Sequence, residues 1–164
     1  MSPGHRSFRS LLAAVSIVGV LLTLGVLSPA GPAAAAVTGT VISGPGGKCV
    51  DVAGDDTGVN GTAVQLWDCQ ATAADQHYTW TGTALTTIGR CLDVTAAGTG
   101  NGTLIQLYDC NGTGAQQWTQ QADGSLRNPS SGRCLDSPNG ATGNGTRLQI
   151  WDCNGSAAQK FALS

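Results

Sequence analysis

No glutamate occurs anywhere in this 164-residue chain, so its side-chain carboxylates are ten aspartates. Charged residues make up 11% and aromatic residues 5% of the sequence, and only two histidines are present. These shortages exclude several classes of function. Beyond residue 36 the basic residues are isolated, six Lys or Arg against ten Asp, which leaves a formal charge of about −4. Nucleic-acid binding needs clustered Lys and Arg to displace counterions from phosphates, so that partner is not expected. No C-x-x-C or other short Cys/His spacing is present, which argues against a structural metal site. The Gly-x-Ser-x-Gly signature is missing and His77 is the only histidine beyond residue 36, so a Ser-His-Asp site has little support. No cofactor is expected. No stretch sustains a 3.6-residue apolar period, so helix content should be close to nil.

Long apolar runs are also scarce, with one exception at the start. Arg6 and Arg9 precede an apolar-dominated stretch from Leu11 to Leu27, which leads through Pro29 to Ala34-Ala35-Ala36. A basic start, an apolar middle and a small-residue end are the features of a secretory signal peptide, here residues 1–36. Seventeen residues sit at the lower limit for a membrane span, and Gly19, Thr23 and Gly25 weaken the run, which disfavours the rival reading as an anchor. No cysteine precedes Cys49, so no lipid-attachment site lies near the cleavage point. The expectation is a secreted, extracellular protein with no membrane contact after cleavage.

Residues 37–164 contain one pattern three times, in repeats of about 37–80, 81–121 and 122–164. Each begins Cys-Val/Leu-Asp (Cys49, Cys91, Cys134), passes through Asn-Gly-Thr (Asn60, Asn101, Asn144) and reaches Gln-x-aromatic-Asp-Cys (ending Cys69, Cys110, Cys153). Each ends on Gln-x-aromatic: Gln76 with Tyr78, Gln116 with Trp118, Gln159 with Phe161. First cysteines are 42 and 43 residues apart and second cysteines 41 and 43, a period fixed closely enough to make each copy a structural unit. Six cysteines allow 15 pairings, but the threefold repeat favours the symmetric scheme Cys49–Cys69, Cys91–Cys110 and Cys134–Cys153. Each such loop of about 20 residues contributes roughly 3 kcal/mol by restricting the unfolded chain.

Within a repeat, Val41-Ile42, Ala84-Leu85-Thr86 and Ser125-Leu126-Arg127 are short β-prone stretches before the first cysteine. Asn-Gly-Thr marks a turn entering a strand of alternating apolar residues. That accounts for Asn60, Asn101 and Asn144, and for Asn111 and Asn154, without invoking their Asn-Gly-Thr/Ser match to a glycosylation sequon. A propeller closes with roughly 4–8 blades, more than three repeats supply. The predicted fold class is all-β, a closed threefold assembly of four-stranded units around one core.

The recurrence of Cys-Leu-Asp, Asn-Gly-Thr, Gln-Leu-Trp-Asp-Cys and Gln-x-aromatic over about 126 residues resembles the ricin B-type lectins and the related xylan-binding modules of secreted bacterial glycosidases. The resemblance implies a β-trefoil with up to three shallow sugar sites, α, β and γ, one per repeat. It also implies that Asp51, Asp93 and Asp136, with the rings of Trp67, Tyr108 and Trp151, carry those sites. The chemistry agrees. A pyranose needs an aromatic face for its apolar side, and a carboxylate accepts its hydroxyl protons with charge-assisted strength. Gln65, Gln106 and Gln149, two residues before each ring, orient the site or reach a hydroxyl. Asn111 and Asn154, with Gln70 at the matching place, are further polar candidates, and Asp75 and Gln76 are assigned to site α. Tyr78, Trp118 and Phe161 are expected in the core instead, and Asp68, Asp109 and Asp152 are expected to tie down turns.

The family's stronger sugar sites have Asn just before the closing Gln-x-Trp. Here that position is Asp75, Ala115 and Ala158. Alanine offers no hydrogen bond, so sites β and γ lose a contact worth about 0.5–1.5 kcal/mol, and site α should be the strongest. The expected function is a monomeric, non-catalytic carbohydrate-binding protein recognising galactose-type sugars or xylan. A glycosidase would need two carboxylic groups about 5–10 Å apart across one cleft, which three equivalent shallow sites do not provide. The alternative is a β-trefoil interaction protein, either a protease inhibitor or a tether for a separately encoded enzyme or toxin. An inhibitor's single protruding loop has no counterpart in the regular repeats.

Overall fold

The computed structural model describes residues 39–54 and 58–164, so the expected signal segment and the loop tip at 55–57 lie outside the described residues. The first repeat contains β1 (Thr40–Ser43), β2 (Cys49–Val52), β3 (Val64–Trp67) and β4 (His77–Thr81). The second contains β5 (Ala84–Thr87), β6 (Arg90–Val94), β7 (Thr103–Tyr108) and β8 (Thr119–Gln120). In the third, β9 (Leu126–Asn128) and β10 (Arg133–Asp136) precede a strand split at Leu148 into β11 (Thr146–Arg147) and β12 (Gln149–Trp151), and β13 (Ala162–Leu163) comes last. Between strands the described residues form only single 3₁₀ turns, so the low helix content expected from the sequence is observed. None of their helices is long and apolar enough to cross a membrane.

The strands assemble a β-trefoil. β1 pairs with β4 and β13, β4 with β5, and β8 with β9, all antiparallel. Trp118 N–H to Thr83 O at 2.8 Å and Phe161 N–H to Gly124 O at 2.9 Å join the remaining sides, closing β1, β4, β5, β8, β9 and β13 into a barrel among the described residues. The hairpins β2–β3, β6–β7 and β10–β12 cap it. Their two-residue alternation decides which side chains enter the core. Val50, Val52, Val64 and Leu66 point inward and are buried, and Leu92, Leu107, Leu135 and Ile150 do the same in the later repeats. The second set of aromatics, Tyr78, Trp118 and Phe161, lies in the core as expected, each at most 1% exposed. Burial of each contributes about 1.5–3 kcal/mol. Trp118 also donates its indole N–H to Leu92 O at 3.0 Å, which satisfies the one polar atom that its burial would otherwise leave unpaired.

The repeats are locked in a ring by the Asn-Gly-Thr turns. Asn60 Nδ2 donates to Asp109 Oδ2 at 2.7 Å, Asn101 to Asp152 Oδ2 at 2.8 Å, and Asn144 to Asp68 Oδ2 at 2.9 Å. Each turn therefore docks on the repeat that follows it, and the third docks on the first. Backbone bonds run beside these contacts, from Gly61 N to Leu107 O, Gly102 N to Ile150 O and Gly145 N to Leu66 O. Those three glycines have φ of 88°, 84° and 83°, a left-handed conformation that a Cβ would strain. Lys48, Arg90 and Arg133 pair with the same aspartates. Hydrogen bonds from Lys48 and Asn144 hold the Asp68 carboxyl below the usual range, and those from Asn60 and the Arg90 charge do the same for Asp109.

Cys49–Cys69, Cys91–Cys110 and Cys134–Cys153 are bonded, with Cα atoms 5.0–5.1 Å apart, the symmetric scheme expected from the repeats. Each bridge joins the start of a hairpin to the segment just beyond its second strand. Reduction and alkylation should therefore lower the melting temperature sharply, since each closed loop contributes roughly 3 kcal/mol. An unchanged melting curve, or an abundant cross-repeat peptide such as one linking Cys69 to Cys91 in an unreduced digest, would contradict this arrangement.

Candidate functional site

Each hairpin presents the same set of polar groups on its outer face. In the first, register places Asp51 opposite Gln65 and Cys49 opposite Trp67. Asp93 faces Gln106 in the second and Asp136 faces Gln149 in the third. The aspartates are 4–6% exposed, so only a small part of each carboxylate reaches solvent. Two amides hold each one. Gln65 Nε2 donates to Asp51 Oδ2 at 2.8 Å and Gln76 Nε2 to Oδ1 at 2.8 Å. Gln106 and Gln116 hold Asp93 at 2.9 and 3.0 Å, and Gln149 and Gln159 hold Asp136 at 2.8 and 3.1 Å. A carboxylate has about four acceptor positions, so two remain for a ligand's hydroxyl protons. Among the described residues, the four ion pairs leave Asp51, Asp93 and Asp136 uninvolved, so no lysine or arginine at salt-bridge distance competes for them.

Gln76, assigned to site α from the sequence, is turned toward the protein interior. It is 1% exposed, its Oε1 accepts from Gln70 N–H at 2.8 Å, and its Nε2 also donates to Asp68 O at 3.0 Å. Its amide is fully engaged within the protein, which makes it a positioning residue for Asp51. Gln116 and Gln159 make the same bonds to Asn111 N–H and Asp109 O, and to Asn154 N–H and Asp152 O. Of the two roles open to Gln65, Gln106 and Gln149, the structure shows them orienting the carboxylate.

Beside each aspartate stands an exposed ring: Trp67, Tyr108 and Trp151 are 36%, 39% and 40% accessible. Part of their support comes from the preceding repeat. A Cβ built on Gly145 would lie 4.0 Å from the Trp67 ring, and one on Gly102 would lie 4.0 Å from the Trp151 ring. In the third repeat, Asp136, Gln149, Trp151 and Asn154 line a pocket of about 450 Å³. In the second, Asp93, Gln106, Tyr108 and Asn111 line one of about 430 Å³. Asn111 Oδ1 accepts from Thr113 N–H at 3.0 Å, and Asn154 Oδ1 from Ser156 N–H at 2.9 Å, so both asparagines are held by their own turns. Ala115 and Ala158 also line these pockets, and Asp75 occupies the same position in the equivalent 3₁₀ turn, Ala74–Gln76.

Residues 37–161 match the family model of the ricin-type beta-trefoil lectin domain. The chain belongs to this family. Among solved structures it is similar to the agglutinin from Abrus precatorius, with 26% identity, a TM-score of 0.70, and coverage of 76% of this chain and 47% of that one. A non-toxic homologue of type II RIPs from Momordica charantia, in complex with alpha-methyl-D-galactoside, is 27% identical with a TM-score of 0.68 over 76% of this chain and 46% of that one. The chain thus spans about half the length of both plant proteins. It covers 96% of the designed threefold-symmetric protein ThreeFoil, at 24% identity and a TM-score of 0.67, a likeness of fold. No curated protein sequence is significantly similar to the chain.

Some pocket residues of this lectin domain were missed in the sequence. Ser137, Asn139 and Ser156 line the third pocket, and Ala96, Ala97 and Thr113 line the second. Pro138-Asn139-Gly140 is a turn signal that identifies Asn139 as a left-handed residue, and its φ is 55°. Ala96 and Ala97 adopt the same conformation at φ of 54° and 52° without a residue suited to it.

Two stability predictions follow from this geometry. Left-handed alanine costs about 1–2 kcal/mol, whereas glycine's extra freedom in the unfolded chain costs about 0.4–1 kcal/mol. Ala97→Gly should therefore raise the unfolding free energy by about 0.5–1 kcal/mol, and a loss in urea denaturation would show that the strain is absent. Gln116→Ala should lower it by about 2–4 kcal/mol, because it removes three hydrogen bonds and leaves Asp93 short of a donor. A change below about 1 kcal/mol would show that Gln116 does not hold the site together.

Proposed function

We propose that this protein is a secreted carbohydrate-binding protein that takes galactose-type sugars in up to three sites. The observation that carries this reading is the buried aspartate held by two glutamines beside an exposed ring, built three times on a lectin-domain frame. The held carboxylate offers acceptors to adjacent ring hydroxyls, and the aromatic face packs on the apolar side of the pyranose. Galactose is favoured because the similar Momordica charantia structure is a complex with alpha-methyl-D-galactoside. Secretion is supported by the three disulfides, which persist in oxidising compartments, and by the signal-like N-terminal segment.

Open pockets of this kind bind single sugars at about millimolar strength, so useful affinity comes from engaging several sites on one polymer or surface, by about 10²–10⁴ in favourable geometry. Site α is ranked strongest because Asp75 adds an acceptor where Ala115 and Ala158 add none.

A glycan array carrying galactose-terminated glycans and β-1,4-xylan should show binding to the galactosides, stronger at high ligand density. No binding to any glycan would overturn the reading, and binding to xylan alone would change the sugar. Calorimetry on single variants tests the ranking: Asp51→Ala should remove most monosaccharide binding, while Asp93→Ala and Asp136→Ala mainly lower avidity. Ala158→Asn should strengthen site γ by about three- to tenfold, the value of one added hydrogen bond. A larger loss for Asp136→Ala than for Asp51→Ala would reverse the order of sites.

A further inference from the structure

We infer that Asn111 and Asn154 are sites of spontaneous deamidation, a modification that adds a carboxylate to the pockets of the second and third repeats; only its effect on ligands rests on the sugar-binding reading. Asparagine is a chemically labile side chain, most of all before glycine, whose missing Cβ leaves the backbone nitrogen open to the amide carbon. Six Asn-Gly pairs occur beyond residue 36, beginning at Asn60, Asn101, Asn111, Asn139, Asn144 and Asn154. The fold divides them.

Attack needs a backbone N–H that can give up its proton and an amide nitrogen that can leave. In the three turns that lock the ring, both atoms are held. Gly61, Gly102 and Gly145 donate to Leu107 O, Ile150 O and Leu66 O at 2.8, 2.9 and 2.9 Å, while Nδ2 of Asn60, Asn101 and Asn144 donates to Asp109, Asp152 and Asp68. Gly140 donates to Ser137 O at 2.9 Å, so Asn139 is protected at one of the two atoms. Among the described residues, neither the N–H of Gly112 and Gly155 nor the Nδ2 of Asn111 and Asn154 has an acceptor. All four residues are exposed, and a Cβ built on either glycine meets nothing within 4 Å, which leaves room for a tetrahedral intermediate and for water. What is held is the amide oxygen. Asn111 Oδ1 accepts from Thr113 N–H at 3.0 Å and from its hydroxyl at 2.7 Å, and Asn154 Oδ1 accepts from Ser156 N–H at 2.9 Å. Such bonds polarise the carbonyl and make Cγ a better electrophile.

The reaction balances with water alone. Gly112 N–H gives its proton to hydroxide and its nitrogen bonds to Asn111 Cγ; the Cγ–Nδ2 bond breaks, and Nδ2 leaves as ammonia with a proton from water. Water then opens the cyclic imide at either carbonyl, giving aspartate or, with the main chain rerouted through the side-chain carbon, isoaspartate. Nothing is oxidised or reduced. Gly155 and Asn154 follow the same course. Each event places a carboxylate on a pocket wall, since Asn111 lines the pocket of Tyr108 and Asn154 that of Trp151. The isoaspartate form also removes the turn that seats Thr113 or Ser156, the residues from which the 3₁₀ turns carrying Gln116 and Gln159 begin. The matching residue of the first repeat, Gln70, precedes Ala71. A glutamine there would have to close a larger ring against a hindered nitrogen, so the first repeat lacks this route.

The test incubates the purified protein in mildly alkaline buffer made with heavy-oxygen water and follows each Asn-Gly pair by peptide mass spectrometry, the heavy oxygen marking conversions that occur during incubation. Asn111 and Asn154 should convert first. Asn139 should lag by about two- to tenfold, the worth of one hydrogen bond, and Asn60, Asn101 and Asn144 by about five- to hundredfold, since two must break. A reduced, urea-denatured sample of the same chain should convert all six at similar rates, because the fold alone separates them. In the converted fraction of folded protein, the ring resonances of Tyr108 and Trp151 should report galactose binding about two- to tenfold weaker, with the response at Trp67 unchanged. Similar rates for all six pairs in the folded protein would overturn the inference, as would intact Asn111 and Asn154 after the denatured sample has converted. Unchanged galactose affinity at Tyr108 and Trp151 would overturn the effect on the pockets. Failure of fresh protein to bind any sugar would overturn the proposed function, while the mass measurement would still decide the modification.

Discussion

A buried carboxylate must be hydrogen-bonded, because removing it from water without partners costs several kcal/mol. In this protein that requirement is met three times in the same way, by two glutamine amides that arrive from different directions. One comes from the neighbouring strand of the hairpin and the other from the 3₁₀ turn that ends the repeat. The aspartate thereby fastens together the three segments from which a repeat is built. The same bonds fix the orientation of the carboxylate in the folded protein. A site of this kind is preorganised by folding, and little ordering is left to oppose binding.

Closure between repeats follows a separate rule with the same economy. Each Asn-Gly-Thr turn places its asparagine on the aspartate beside the next repeat's second cysteine, and in two of the three cases its glycine comes close to the next repeat's indole ring. A hairpin alone would leave the turn's asparagine without its partner. Three hairpins in a ring satisfy one another, which gives a physical reason for three repeats. It also brings a glycine of one repeat close to the ring of the next at Trp67 and Trp151.

How much of this could be read in the sequence depended on the range of the interaction. The strands around each Asn-Gly-Thr turn follow from local spacing, the disulfides from the threefold repetition, and the division of the aromatics into exposed and buried sets from the family resemblance, and all were anticipated. The docking of Asn144 on Asp68 spans 76 residues and of Asn60 on Asp109 spans 49, and nothing local distinguishes these partners from their counterparts within a repeat. The burial of Gln76 and its bond to Asp51 across 25 residues were likewise not legible locally. Ser137 and Asn139 were missed because attention to the repeat pattern passes over the loop after each Cys-x-Asp, where the repeats differ.

Those differences fall in a consistent place. The residues that close the fold, namely the cysteines, the clamped aspartates, both glutamines and the turn asparagines, are the same in all three copies. The residues that vary are Asp75, Ala115 and Ala158 on the 3₁₀ turns and Ala96 against Asn139 in the loops, and the three alanines and Asn139 line the second and third pockets. A third set faces the glutamines from the neighbouring repeat, with Arg147 opposite Gln65, Leu104 opposite Gln149 and Ala63 opposite Gln106. Directly opposed side chains on one face of a sheet lie about 4.5–5.5 Å apart at Cβ, so this position places a cation, a large aliphatic group or a methyl group beside an otherwise constant clamp. Arg147 is held there by a bond to Ile105 O at 3.3 Å, whereas Leu104 is 40% exposed. Because neither the clamp nor the interlocking turns use these positions, they can change without loosening the ring, and a symmetric frame can carry three candidate sites with different surroundings.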